Sequence, residues 1–299
     1  MTNLRSFGSY ELLKRFAVGG TSELWLALPK QRRGDNRPLL LKRLLPHIAE
    51  DPEATELFLR EAKLGANLQH PNIVRIRECG EAEHTAYIAR DFISGNDLRT
   101  VQRRPELITP VRALHIIASV CEALAHAHHR VDHLDRPQPL IHGELAPRHI
   151  LIGNEGEVKV IGFMGNKPVK PQVLGGFRVM APEQVLGNPL DHRTDIFTAG
   201  HVLYELLTGD RPRRGGFEQY SARATIERQI PPPSQVASVP RELDAVVLKA
   251  LAWEPDDRYQ DVRDFLRALE EYLTAEATRP RSEELMAMMF HLSKSEGAS

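Results

Sequence analysis

Apolar and polar residues alternate along residues 7–45, with turn-like stretches between the apolar pieces. This period of two predicts a strand hairpin followed by a further strand. Two shorter apolar runs, at residues 150–152 and 158–161, flank an Asn-Glu-Gly turn at residues 154–156. They predict a second, smaller hairpin near the middle of the chain.

Helical spacing of apolar residues marks two longer stretches, residues 51–69 and 109–129. A third helix, expected at residues 195–208, is indicated by a motif given below rather than by this spacing. Asp51 is suited to the N-cap of the first helix, Pro52 to its first position, and Gly209 to the C-cap of the third. Residues 278–299 contain a shorter amphipathic segment, which is predicted to form a helix that packs on the domain or on a partner.

The first of these helices has an apolar stripe formed by Leu57, Leu64 and Leu68, and Glu61 falls inside it. An unpaired carboxylate among apolar side chains is costly, so Glu61 is predicted to pair with a cation, for which Lys42 is the candidate. The alternative is that Glu61 lies at the solvent-exposed edge of the stripe.

A chain of 299 residues with 41% hydrophobic content can bury a full core. Its formal net charge of −1 gives no reason to expect nucleic acid or an anionic membrane as a partner. Cys79 and Cys121 form no metal or redox motif, which indicates a reducing, cytoplasmic setting. No apolar run approaches the length of a membrane span, and the N-terminus lacks a signal-peptide core.

The candidate chemistry is concentrated in residues 141–165, which keep a histidine at His142. This stretch resembles the catalytic loop H-R-D-L-x-x-x-N and the D-F-G motif of bacterial, eukaryotic-like Ser/Thr protein kinases. A polar insertion at residues 131–139 is typical of the myxobacterial type of these kinases. Other motif positions are degenerate: Gly143 replaces the arginine, Glu144 the catalytic aspartate and His149 the metal-binding asparagine. Gly162, Phe163 and Met164 sit at D-F-G, where only the phenylalanine is kept.

Further family motifs occur in the expected order between residues 10 and 273. They are a glycine-rich loop reduced to Ala17, Gly19, Ser22 and Leu24, the V-A-I-K lysine Lys42, H-P-N-I-V at residues 70–74, A-P-E at residues 181–183, the helix aspartate Asp195 and the arginine Arg258. The resemblance implies an α+β, bilobal protein-kinase-like fold. An antiparallel-sheet N-lobe with the αC helix is expected at residues 1–93, a larger and mainly helical C-lobe at residues 94–277, and a tail with a short helix at residues 278–299.

The resemblance also implies which contacts stabilise such a fold. Lys42 is expected to pair with Glu61 on the αC helix, as the apolar stripe already suggested. Arg258 is expected to pair with Glu183 of the A-P-E motif, deep in the C-lobe. Asp195 is expected to support the backbone of the catalytic loop.

Phosphoryl transfer in this family depends on metal ions held by the D-F-G aspartate and the catalytic-loop asparagine. Gly162 has no side chain, and the imidazole of His149 is a poor ligand for Mg²⁺, which prefers oxygen. Glu144 is one methylene longer than aspartate, and a misplacement of about 1 Å can slow a reaction on the order of a hundredfold. Together these substitutions predict that phosphoryl transfer is lost and that no metal is bound.

The activation segment, residues 162–180, contains no Ser, Thr or Tyr, so it offers no hydroxyl for phosphorylation. The arginine that would pair with such a phosphate is also missing at Gly143. Lys167, Lys170 and Arg178 make the segment basic. This charge fits either a solvated loop or a docking surface for an acidic partner.

The adenine pocket is expected to be filled by side chains. Leu40 replaces the small alanine of V-A-I-K, and the resemblance places Leu24 above it and Leu151 below it. Overpacking of a close-packed cavity typically costs about 1–3 kcal/mol, so ATP binding is expected to be weak or absent. The hinge side of the pocket is formed by Arg90 at the gatekeeper position, Asp91 at the acidic hinge position and Ile93. In the alternative, the strand is shifted by one residue and Arg90 faces solvent.

The resulting hypothesis is a catalytically inactive, cytoplasmic pseudokinase domain that acts as a protein-binding scaffold or allosteric regulator in bacterial signalling, without ATP or Mg²⁺ as cofactor. Its protein partner and oligomeric state are left open. One alternative is an atypical Ser/Thr kinase with weak residual phosphoryl transfer through Glu144. Another is a switch that binds nucleotide without metal through Lys42.

Overall fold

The computed structural model describes residues 5–31, 37–131, 134–163, 180–212, 230–276 and 279–296. The side chain of Glu61 lies outside this description, and so do the whole residues Met164, Lys167, Lys170 and Arg178. The predictions made for them remain predictions. The chain divides into two compact units, Met1–Ile93 and Ser94–Ser299, which are called the upper and the lower unit.

The upper unit is a six-stranded antiparallel sheet with a helix packed on it. The strands are β1 (Arg5–Phe7), β2 (Tyr10–Val18), β3 (Ser22–Pro29), β4 (Leu39–Leu44), β5 (Ile76–Ala82) and β6 (Thr85–Asp91), in the order β1-β2-β3-β4-β6-β5. The helices are α1 (Pro46–Ala49) and α2 (Pro52–Ala66). The predicted hairpin and following strand are therefore confirmed as β2, β3 and β4.

The sheet is curled, so that its two ends meet. Tyr10 on β2 and Tyr87 on β6 both donate their hydroxyl hydrogen bonds to the carboxylate of Glu78 on the far edge strand β5. Trp25 and Leu41 are buried inside this curl. These charge-assisted hydrogen bonds link strand β2 to the far edge strand β5 across the curl.

Helix α2 begins as predicted, because the Asp51 carboxylate accepts a hydrogen bond of 2.9 Å from the backbone N–H of Glu53. The helix ends at Ala66, three residues before the predicted end, and Asn67 takes the C-cap position. The predicted stripe is wrong at Leu57, although Leu68, just beyond the helix, is buried as predicted and Leu64 is half-buried. Leu57 is 40% exposed, whereas Phe58 and Ala62 are buried against the sheet, so the buried face is rotated by one position.

The lower unit is mainly helical. Its helices are α3 (Leu98–Val101), α4 (Pro110–His128), α5 (Pro182–Leu186), α6 (His192–Thr208), α7 (Pro233–Val236), α8 (Glu242–Ala250), α9 (Val262–Ala275) and α10 (Arg281–Glu296). A small antiparallel sheet contains β7 (Gly95–Asp97), β8 (Ile150–Gly153) and β9 (Val158–Val160).

The sequence predicted most of these elements, with shifted ends. Helix α4 begins after Thr109, whose hydroxyl accepts a hydrogen bond from the N–H of Arg112. Helix α6 begins three residues before Asp195, and Gly209 caps it with a φ of +70°, as expected. Strand β9 ends one residue early, because Ile161 donates its N–H to the carbonyl of a residue in the catalytic loop.

The tail segment forms a longer helix than expected. Leu285, Met288, Met289 and Leu292 of α10 are buried, and α10 packs on α4 and β8 of the lower unit. Within the described ranges, no helix combines the length and the hydropathy that crossing a bilayer requires.

Candidate functional site

Asp195, on helix α6, supports the backbone of the catalytic loop. Its fully buried carboxylate accepts hydrogen bonds from the N–H of His142 at 2.7 Å and the N–H of Gly143 at 2.9 Å. His128, at the end of α4, places Nε2 2.8 Å from the same carboxylate. Burial alone would raise the pKa of Asp195, but the hydrogen bonds from these neighbours hold it below its usual range. The predicted role of Asp195 is confirmed.

His142 is buried in a defined, neutral form. Its Nδ1 accepts a hydrogen bond of 3.2 Å from the N–H of Glu144, so its Nε2 carries the proton and donates to the carbonyl of Ile161 at 2.9 Å. Burial lowers the pKa of His142. The ring packs against Phe163 and His149, with centroid separations of 4.8 Å and 5.4 Å. The histidine therefore joins the catalytic loop to the segment that follows β9.

His149, at the asparagine position of the motif, is turned toward its own loop. It ends a single 3₁₀ turn, and its Nδ1–H donates to the carbonyl of Glu144 at 2.7 Å. The ring lies beside Gly162, since an ideal Cβ on that glycine would be 3.6 Å from Cδ2 of His149. The structure thus brings Glu144, His149 and Gly162 together, as the motif alignment implied.

Two glycines of this site adopt left-handed backbone conformations. The φ angles are +76° at Gly143 and +85° at Gly162, a region that L side chains rarely adopt. The positions that carry an arginine and an aspartate in the family motif therefore have a backbone conformation that glycine adopts without strain.

The donor set of this site does not fit Mg²⁺. Gly162 contributes no side chain, and His149 contributes an imidazole whose Nδ1 is already engaged in a hydrogen bond. Mg²⁺ requires oxygen ligands in near-octahedral arrangement, and Glu144 supplies the only carboxylate among the degenerate motif positions.

Arg258 and Glu183 form a buried ion pair in the lower unit. The two guanidinium nitrogens Nη1 and Nη2 donate to the carboxylate at 2.7 Å and 2.8 Å, a bidentate geometry. Burial would raise the pKa of Glu183, but the bonds from Arg258 and Thr194 hold it below its usual range. The remaining guanidinium donors bond to the carbonyls of Ala252, Arg193 and Trp253. The predicted pairing of the A-P-E glutamate is confirmed.

In the upper unit, the strand register places several pocket candidates on one face of the sheet. Lys42 on β4 lies opposite Leu24, and Leu40 lies opposite Leu26 on one side and Arg90 on the other. Directly opposed residues of antiparallel strands share a face. Arg90 therefore lies on the same face of the sheet as Leu40 and Lys42, and it is half-buried.

The other candidates have their own surroundings. The Lys42 ammonium lies 5.1 Å from the ring centroid of Phe58 on α2, and its pairing with Glu61 remains a prediction. Asp91 pairs with Arg77 through two hydrogen bonds, of 2.5 Å and 3.1 Å. Ile93 is the last residue of the upper unit and is half-buried. Leu151, on β8 of the lower unit, is half-buried and pairs with Lys159 and Asp97.

Residues 24–274 match the family model of the protein kinase domain. The chain belongs to this kinase family. It is 34% identical over 283 residues to the tyrosine-protein kinase MasK of Myxococcus xanthus. It is 37% identical over 265 residues to the serine/threonine-protein kinase PknB of Mycolicibacterium smegmatis. These matches cover 91% and 84% of this chain, but only 44% and 41% of the relatives, so the kinase domain spans less than half of their length.

Solved structures agree with this assignment. The crystal structure of the PknI kinase domain of Mycobacterium tuberculosis matches with a TM-score of 0.68 at 25% identity, over 91% of this chain and 98% of that one. The expected kinase fold, with a curled antiparallel sheet and a helical lower part, is confirmed. Helix α10 lies beyond the stretch that matches the kinase family model.

Sequence reasoning missed the contacts of three residues in this kinase domain, His128, His129 and Gln184. His128 belongs to a histidine-rich run, which suggests a metal site only superficially, and it bonds to Asp195 instead. Its neighbour His129 bonds to Asp261 at 2.9 Å. No group of three or more metal-ligating side chains occurs in the described part of the chain. Gln184 directly follows A-P-E, and nothing in the motif indicates that its side chain bonds to Ala181 and Gly143.

Proposed function

We propose that this kinase domain is catalytically inactive and acts as a protein-binding scaffold or allosteric regulator in bacterial signalling. The observation that carries the proposal is the loop of Gly162 and His149. A left-handed glycine stands where the family has a metal-binding aspartate, and an imidazole that bonds to its own loop stands where the family has an asparagine. Phosphoryl transfer needs both anchors to position metal ions between phosphates.

The pattern of retained contacts supports this proposal. Asp195 still supports the loop, and Arg258 still pairs with Glu183. Both contacts stabilise the lower unit and neither supplies a reacting group. Selection for a folded domain without selection for metal-dependent chemistry accounts for this combination.

The alternative is a kinase with weak residual phosphoryl transfer, in which Glu144 would accept the substrate proton. The names of MasK and PknB, both protein kinases, favour this alternative. A switch that binds nucleotide through Lys42 without metal is a third candidate. Nucleotide binding and phosphoryl transfer are therefore measured in separate assays.

The test is a thermal-shift titration with ATP and ADP, with and without Mg²⁺ or Mn²⁺, beside a radiolabel-transfer assay. A ligand at a hundred times its dissociation constant stabilises a protein by about 2.7 kcal/mol, which is easily measured. We expect neither a metal-dependent shift nor label transfer. Label transfer that is abolished by Lys42→Met would establish the residual kinase, and a shift without metal would establish the nucleotide switch.

Loss of the nucleotide is expected to have a second cause, the filling of the adenine pocket by Leu40 and Arg90. We expect that a variant with Glu144→Asp, His149→Asn and Gly162→Asp does not regain ATP binding. Binding should return only when Leu40→Ala, together with Arg90→Met, is added. Calorimetry on the triple variant that keeps Leu40 and Arg90 measures the dissociation constant of ATP. A value of tens of micromolar, which is ordinary for an enzyme and its substrate, would contradict the filled pocket.

The partner surface is proposed to include the outer face of α10. Met286 and Phe290 are 45% and 56% exposed and lie one helical turn apart. Removing the whole tail would also expose buried residues, so point variants are the better test. We expect Met286→Ser with Phe290→Ser to abolish capture of a protein partner, while Leu186→Ser, at an equally exposed site elsewhere, leaves capture unchanged.

The basic activation segment is the second candidate surface. Replacing Lys167, Lys170 and Arg178 with glutamine removes its charge without shortening it. A partner that binds equally well to this variant and to the α10 variant would eliminate both surfaces. The proposed location is the cytoplasm, which is consistent with the two free cysteines, Cys79 and the buried Cys121.

A further inference from the structure

Gln184 connects the A-P-E helix to the catalytic loop through its side-chain amide. Its Oε1 accepts a hydrogen bond of 2.9 Å from the N–H of Ala181, at the start of α5. Its Nε2 donates a hydrogen bond of 2.7 Å to the carbonyl of Gly143. These two hydrogen bonds are called the Gln184 bridge. One planar amide thus uses its acceptor on one segment and its donor on the other.

The Gln184 bridge engages the side of Gly143 that Asp195 leaves open. The N–H of Gly143 donates to Asp195 at 2.9 Å, and the carbonyl accepts from Gln184. Both polar groups of this glycine are therefore bonded to side chains of other elements. Gly143 has a φ of +76°, so its left-handed conformation determines the direction of the loop backbone.

The helix α5, from which the Gln184 side chain projects, is itself held in place by buried contacts. Glu183, the neighbour of Gln184 on α5, is buried and paired with Arg258 at 2.7 Å and 2.8 Å. The Thr194 hydroxyl donates to the same carboxylate at 2.8 Å. A side chain that projects from an anchored helix can restrain a loop, because its own base does not follow the loop's motion.

We infer that Gln184 is a positioning residue that fixes the catalytic loop against the A-P-E helix without phosphorylation. Residues 162–180 contain no hydroxyl to phosphorylate, and Gly143 has no side chain to receive a phosphate. A neutral amide makes the connection instead, so the connection does not depend on a phosphate. The inference goes beyond catalytic inactivity, and it holds whether or not the domain transfers phosphate.

The test separates the two bonds of the bridge by substitution. Gln184→Glu keeps an acceptor for the Ala181 N–H but has no donor for the Gly143 carbonyl. Gln184→Met has nearly the same shape and removes both bonds. Gln235→Glu, at an exposed position, adds the same charge without touching the loop. Amide hydrogen exchange is measured on peptides from residues 142–149, 181–187 and 196–204 of each full-length variant.

In Gln184→Glu, exchange in residues 142–149 should accelerate about three- to tenfold, the effect of one lost hydrogen bond on local opening. Exchange in residues 181–187 should accelerate only in Gln184→Met. Exchange in residues 196–204 should match that of the unaltered protein in every variant. Gln235→Glu should match the unaltered protein in all three peptides. Unchanged exchange of the loop in Gln184→Glu would overturn the inference. Equal acceleration of all three peptides would also overturn it, because it would indicate general destabilisation rather than positioning.

Discussion

Gly143 and Gly162 determine the backbone of the candidate site at the scale of single residues. Their φ angles of +76° and +85° lie where an L side chain is strained by contact between its Cβ and the backbone. Gly162 is not crowded, because the nearest atom to an ideal Cβ lies 3.6 Å away. The obstacle to a side chain at Gly162 is therefore its own backbone conformation and not crowding by neighbouring residues.

Gly162→Ala should lower the free energy of unfolding of the lower unit by about 1–2 kcal/mol, because alanine disfavours a left-handed backbone. Urea denaturation measures this change. Gly20→Ala is the control, since Gly20 is not left-handed and has no atom within 4 Å of an ideal Cβ. The control should change stability by less than about 0.5 kcal/mol. Equal effects of the two substitutions would contradict a conformational cost at Gly162.

At the scale of elements, α10 is part of the lower unit rather than a loose extension. Arg281 donates to Glu122 at 2.9 Å and to Ser119 at 3.0 Å, both on α4. Gly156, in the β8–β9 turn, has a φ of +83°, and a Cβ there would lie 2.3 Å from the carbonyl oxygen of Ser282. The helix therefore approaches the turn so closely that only glycine fits between them.

Leu285→Ala should destabilise the domain by about 2–5 kcal/mol, because Leu285 lies on the fully buried face of α10 and its truncation leaves a cavity. The neighbouring Met286→Ala serves as the control, since Met286 is 45% exposed, and it should have an effect below about 0.5 kcal/mol. Thermal unfolding distinguishes the two. A mild effect of Leu285→Ala would mean that α10 detaches without cost.

At the scale of the whole molecule, the order of motifs was enough to predict the fold, because each motif marks a particular strand, helix or loop. Contacts between distant residues were not predictable in the same way. The Glu78 carboxylate binds Tyr10 across 68 positions, and Gln184 bonds to Gly143 across 41. The buried face of α2 was misplaced because Phe58 lies next to Leu57 in sequence and only packing decides between them.

Buried ionisable groups make the stability of the lower unit depend on pH. Burial lowers the pKa of His142 and His115, and the Arg281 guanidinium contributes at His115. Neighbouring donors lower the pKa of Asp195 despite its burial. A group with a lower pKa in the folded state than in the unfolded state stabilises the fold above its unfolded pKa. That contribution is lost as the pH falls toward the folded pKa.

The free energy of unfolding should therefore fall in two stages on acidification. The first stage begins below about pH 6.5, where the histidines become protonated in the unfolded chain, and the second below about pH 4, where Asp195 does. Urea midpoints measured from pH 7.5 to 3.5 follow both stages. Glu205, whose pKa is raised by burial, acts in the opposite direction near its ordinary pKa. A constant midpoint from pH 7.5 to 5.5 would contradict the histidine contribution.

The left-handed backbone at Gly162 limits which residues this position can accept without a loss of stability. Asparagine and aspartate tolerate a φ of +85° better than other L residues do, whereas β-branched and bulky residues are strained there. An ideal Cβ on Gly162 makes only an ordinary contact with the ring of His149, so a small side chain would find room. Natural variation at this position should therefore be limited mainly to glycine, asparagine and aspartate.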